Sequence, residues 1–114
     1  MKLVTTSIAL SELEPMSKKM FNSIVKAVVD IEREVMVVDA EMHADEEAFL
    51  LENASEQRNL WGINLHPSLY GTDDFVEFDS MINIRPIDDN RSRTIINPKL
   101  RDKIKALVNK LVTR

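Results

Sequence analysis

The sequence predicts an α+β protein: a two-layer arrangement in which a mainly antiparallel sheet of four strands carries three helices on one face. Three observations predict it. Apolar residues, many of them β-branched, alternate or run together over 25–31, 35–42, 60–65 and 75–85, as half-buried strands do. Three other segments space their apolar residues three and four apart, the period of a helix with one buried side. Only two glycines are present, so neither a Gly-rich phosphate loop nor a dinucleotide-binding turn can be built, which removes the common nucleotide-binding α/β designs.

Taken in order, Leu3-Val4 suits a short fifth strand at the sheet edge. The first helix is expected to begin between residues 11 and 15. Ser11 and Glu14 have capping-box spacing, Pro15 fits a first helical turn, and Leu13, Met16, Met20, Phe21 and Ile24 follow helical spacing. Met20 to Val35 could continue that helix, but Val25, Val28, Val29, Ile31, Val35, Val37 and Val38 are β-branched and favour extended chain. Strands at 25–31 and 35–42 result, with a hairpin turn at Glu32-Arg33-Glu34. Asp45 is placed to cap a short helix over 46–54. In 60–65, Trp61, Ile63 and Leu65 alternate with Gly62 and Asn64. In 75–85, Val76, Phe78, Ile82 and Ile84 alternate with Glu77, Asp79, Asn83 and Arg85, until Pro86 stops the pattern. Asn97 and Pro98 open the last helix, whose stripe is Leu100, Ile104, Leu107, Val108 and Leu111.

The 114 residues are expected to form a single domain, 1–114, large enough to bury one core unaided. Absence of cysteine excludes disulfides, thiolate metal sites and thiol nucleophiles. No apolar run approaches the ~20 residues that cross a bilayer, and the first residues lack the apolar core of a secretory signal, so a cytoplasmic address is expected. The net charge of −4 is unevenly spread. Residues 1–90 hold 7 Lys/Arg against 18 Asp/Glu, and residues 91–114 hold 8 against 1. The basic tail is expected to lie on the acidic body of its own chain.

Three runs carry a resemblance: Lys26 to Glu32 leading to Glu41-Met42-His43-Ala44-Asp45; Leu60-Trp61-Gly62-Ile63-Asn64-Leu65; and Phe78 to Pro86 followed by Asn90-Arg91-Ser92-Arg93. Together, over roughly residues 12–112, they resemble a family of small prokaryotic proteins catalogued only as a domain of unknown function. The resemblance implies a compact prokaryotic protein and supplies no activity, cofactor or catalytic residue. Members tend to have glycine near Glu34 and around Asp39-Ala40, where this chain is charged or has alanine.

The densest chemistry lies in Asp39-Ala40-Glu41-Met42-His43. On an extended strand Asp39, Glu41 and His43 would project to one face. Asn64, His66, Glu77, Asp79, Asn83 and Arg85 would share that face on neighbouring strands. Two carboxylates and an imidazole can run acid–base chemistry or ligate a divalent metal, and Arg85 could hold an anion in a bidentate fork. The candidate catalytic set is therefore Glu41, His43, Asp79 and Arg85. The candidate binding set is Asp39, Asn64, His66, Asn83, Arg91 and Arg93, with metal and cofactor undetermined. The competing reading is that these are solvated residues of an open sheet face, joined by cross-strand ion pairs. Arg91 and Arg93 could grip phosphate, or simply pair with Asp88 and Asp89 to fix their loop. With a pI of ≈ 5.2 and no aromatic residue beyond Phe78, nucleic acid is not the expected partner.

Two functions remain. One is a small binding or regulatory module that uses the polar sheet face or a sheet edge to meet a small protein partner or its own copy as a homodimer. The other is a small hydrolase or phosphate-handling enzyme built on the catalytic set.

Overall fold

A computed structural model describes residues 1–20 and 22–114. Phe21, assigned above to the first helix, lies outside the described residues. The main sheet has five antiparallel strands in the order β1-β4-β3-β5-β6: β1 (Lys2–Val4), β3 (Val25–Asp30), β4 (Val35–Val38), β5 (Leu60–Leu65) and β6 (Val76–Glu77). A second, two-stranded parallel sheet joins β2 (Ile8–Ala9) to β7 (Val112–Thr113). The helices are α1 (Leu10–Ser17), α2 (His43–Glu52) and α3 (Pro98–Leu111). The class is α+β, and Leu3-Val4 does form the extra edge strand.

Strand parity divides the helices. Val25, Ala27, Val29, Met36, Val38, Trp61, Ile63 and Leu65 point to one face, where Leu10 and Leu13 of α1 and Ile104, Leu107, Val108 and Leu111 of α3 complete the larger core. Val28, Val35, Val37 and Leu60, of opposite parity, pack with Leu50 of α2. Thus α1 and α3 lie on the expected face, while α2 covers the other around Val28, Val35, Val37 and Leu60 and leaves Lys26 and Asn64 open at its end. The runs Val28-Val29 and Val35-Met36-Val37-Val38 state the reason: continuous rather than alternating apolar residues suit a strand covered on both sides.

Several boundaries move for identifiable reasons. Helix α1 starts at Leu10 with Ala9 as an uncapped N-cap, so Ser11 forms no capping box. Pro15 stands in its interior, and with one amide donor missing the helix stops at Ser17. Asp30 builds the β3–β4 hairpin. Its Oδ1 accepts from the main-chain N–H of Glu32 and of Arg33, both at 3.0 Å, and Ser55 Oγ donates to Oδ2 at 2.6 Å. Strand β4 ends at Val38 because Asp39 is in the left-handed region (φ 70), which breaks the period of two before Glu41. Met42, not Asp45, is the N-cap of α2, and no side chain caps that end. Helix α3 opens as expected: Asn97 Oδ1 accepts from Lys99 N and Leu100 N.

The alternating segment 75–85 is a strand only at Val76–Glu77. Beyond it Ser80 Oγ accepts from Ile82 N and starts a 3-10 turn over Met81–Asn83. Beside the rest of β5 the amide of Asn83 stands in for the missing strand. Its Oδ1 accepts from Gly62 N (2.8 Å), and its Nδ2 donates to Gly62 O (2.9 Å) and to Arg93 O (3.1 Å). Gly62 is required there, since a Cβ would stand 2.6 Å from Ser80 Cβ. Asn90 closes the loop behind it, its Nδ2 donating to the carbonyls of Asn83, Ser92 and Thr94.

The basic tail rests in part on the acidic body, through Arg93–Asp79 and Lys110–Glu34, and in part on aromatic rings. The Arg101 guanidinium lies 4.7 Å from the Phe78 ring centroid, Arg114 lies 5.3 Å from that of Tyr70, and Lys110 pairs with Glu34 at 3.2 Å. Among the described residues, no helix is long and apolar enough to cross a membrane.

Removing the Asn83 amide leaves the Gly62 N–H and carbonyl without partners and takes from Arg93 O one of its two donors, the other being Ser80 N. Asn83→Ala should cost about 2–4 kcal/mol in urea denaturation. Asn83→Asp, which keeps the acceptor and loses the donors, should restore little of it.

Candidate functional site

The residues that could do chemistry meet in a cleft of about 420 Å³ between the N-terminus of α2, the start of β3 and the segment after β6. Its walls include Lys26, His43, Asn64, Glu77, Asp79 and Arg93. The α2 N-terminus places His43 there: as the first residue of the helix it reaches across β5, and its Nε2 donates to Ile63 O at 2.8 Å. Burial is the main cause that holds the His43 pKa below its ordinary 6.5, and Lys26 adds to it. The Ile63 hydrogen bond, Asp79 and Asn64 oppose the shift. Asn64, on β5, donates from Nδ2 to Glu77 Oε1 (2.9 Å) and to Asp79 O (3.1 Å). The Arg93 fork closes on Asp79, with Nε to Oδ1 at 3.0 Å and Nη2 to Oδ2 at 3.2 Å. Lys26 Nζ donates to Glu41 O at 2.8 Å.

Of the sequence candidates, His43, Asn64, Asp79 and Arg93 therefore share one cleft. The extended segment that was to carry Asp39, Glu41 and His43 together is not formed. Asp39 pairs with Lys19 at 2.9 Å on a neighbouring groove, and Glu41 lines that groove too. Arg85 is buried elsewhere, its guanidinium 3.9 Å from the Trp61 ring centroid, with Nη1 donating to Gln57 O and Nε 3.2 Å from Asp88. Burial lowers its pKa, against the pull of Asp88 and Glu47. Asn83 is the strand substitute described above. His66 stands 3.5 Å from Glu77 in a separate groove, and Arg91 is exposed. The expected pairing of Arg91 or Arg93 with Asp88 and Asp89 gives way to Arg93–Asp79 and Arg85–Asp88, because Asn90 already fixes the loop. Among the described residues, no group of three or more His, Asp or Glu could hold a metal ion.

Lys26, Met42, Ser80 and Met81 also line the cleft and were not singled out from the sequence. Lys26 is the one charged residue between the ends of β3, which is its only signal. Glu46 is a further omission. It is fully buried one turn along α2 from His43, and its Oε2 accepts from Ala40 N at 3.3 Å, tying the β4–α2 link that delivers His43. Burial pushes its pKa up to about 9, so it is protonated at neutral pH.

These elements define a small α+β protein with a polar cleft at one end of a sheet covered on both faces. A family model described as protein of unknown function (DUF5674) matches residues 2–111, and the chain belongs to that family. No curated protein and no solved structure matches it.

Two pH effects follow. Folded Glu46 retains a proton that the unfolded chain releases near 4.5, so its contribution makes stability fall as pH rises from there toward about 9. Glu46→Gln should therefore match the wild type in melting temperature near pH 5, and exceed it by at least ~5 °C near pH 8 in parallel thermal scans. His43 acts in the opposite direction: the unfolded chain takes up its proton first, so this contribution is lost as pH falls through 6.5. An NMR titration should place the His43 midpoint below that of a free imidazole.

Proposed function

We propose that the chain is a small binding and regulatory module that works through the cleft at the α2 N-terminus. The observation that carries this reading is the meeting of His43, Asn64, Asp79 and Arg93 in one cleft of about 420 Å³, within the usual range of small-molecule sites (~300–1,000 Å³). The side chains are already fixed. His43 is held by Ile63 O, Asn64 by Glu77 and Asp79 O, and Arg93 by Asp79, so a ligand meets groups that need little further ordering. The cytoplasm of a prokaryotic cell is the setting this reading assumes. A homodimer or a small protein partner would be what the bound cleft regulates, with the β1 edge as a surface for it.

A fragment screen followed by 15N NMR should yield compounds that shift His43, Asn64 and Met81. Ala44→Phe, at an exposed position of the first turn of α2 that lines the cleft, should weaken those compounds at least tenfold with little change in melting temperature. Hits that map elsewhere, or that ignore Ala44→Phe, would overturn the reading.

The hydrolase or phosphate-handling reading keeps one favourable observation: a buried imidazole held below its ordinary pKa shares the cleft with Asp79. Hydrolysis of a simple phosphate monoester or ester, abolished by His43→Gln, would favour it over binding alone.

A further inference from the structure

We propose that the cleft takes a neutral ligand with a primary carboxamide and an apolar body. The inference rests on the binding reading above and adds the ligand class, which comes from the hydrogen-bond valences left over at the cleft floor. His43 has committed its Nε2 hydrogen to Ile63 O, so in the neutral ring Nδ1 is an acceptor. Asn64 has committed both Nδ2 hydrogens, to Glu77 Oε1 and Asp79 O, which fixes the orientation of its amide. Its Oδ1 is buried without a partner among the described residues, on a side chain only 5 % exposed. Both unused valences accept, so the floor calls for N–H donors, and a carboxamide NH₂ brings two. A buried acceptor left unmet is costly, which is the incentive for a donor to enter.

Charge decides the rest. Lys26 and Arg93 face Glu77 and Asp79 across the same cleft, and each cation already has an oxygen partner. Neither a full anion nor a full cation gains enough there to offset the loss of its water. The lining also has an apolar part: Met42, 57 % exposed, and Met81, 63 % exposed, together with Ile24 and Ile82. Thioether side chains conform to irregular apolar surfaces and favour the edges of aromatic rings.

The test uses four probes of one shape: benzamide, N,N-dimethylbenzamide, benzoate and benzylamine. Each is titrated into the full chain and read by the methyl signals of Met42 and Met81 and the side-chain amide of Asn64. Benzamide should bind at least tenfold tighter than the other three. Asn64→Leu, which removes the free acceptor, should cost at least tenfold in benzamide affinity. Should that variant fail to fold, the comparison of the four probes on the natural chain still decides. If benzoate, benzylamine or the dimethyl amide binds the cleft as well as benzamide, the inference is overturned and the binding reading stands. Silence from benzamide overturns the inference as well, and only a fragment screen that also misses the cleft removes both.

Discussion

The pairing of one side chain with one main-chain unit holds much of this molecule in place. Strand β6 is two residues long, so most of β5 would present bare peptide groups on that side. The Asn83 amide supplies there the donor and acceptor that a neighbouring peptide would have supplied. Gly62 allows the approach because Ser80 lies where a Cβ would be. Segment 79–95 is thereby fastened against the sheet with little regular structure of its own, and Asn90 ties its carbonyls together from behind. Asp79, Ser80, Met81 and Arg93, one wall of the cleft, are placed by this fastening.

Buried polar groups are handled in three ways. Asp30, wholly buried, is surrounded by two N–H donors and a hydroxyl, and organises a turn. Glu46 has only one main-chain donor, and its charge is suppressed instead. Arg85 stays cationic against an aromatic face, with Asp88 close by and Nη2 left without a partner among the described residues. The contrast shows why burial alone does not identify a reactive group. Asp30 and Asn83 are as deeply buried as His43 or more so, yet their valences are filled by the fold.

How much could be read from the residues depended on whether one local rule acted alone. Strand β5 and helix α3 were legible because alternation, and the Asn97–Pro98 start with its apolar stripe, met no competing signal. The segment after Val38 was not. A left-handed aspartate at residue 39 is rare without glycine, and it converts an apparent strand into a link followed by a helix. His43 and Asn64 still come together, because the helix start and β5 are neighbours in space, whereas Glu41 is left on the link. Segment 78–85 alternates truly, but Ser80 and Asn83 spend their side chains on the backbone, which periodicity cannot show. The cover that α2 gives the second face was written in the unbroken valine runs, a signal that differs from one-sided alternation only by a missing polar residue.

The small parallel sheet has a consequence for how the molecule is made. Ile8 and Ala9 lie beside Val112 and Thr113, so two segments about a hundred residues apart must meet before α3 can seat. On a ribosome the early strand waits until Val112 and Thr113 have left the exit tunnel. The larger core includes Ile8 and Val112 themselves, so what forms before that moment keeps an open seam. Closure thus waits for Val112 and Thr113 rather than for any nearer element, and the nascent chain spends that interval with apolar surface available to chaperones.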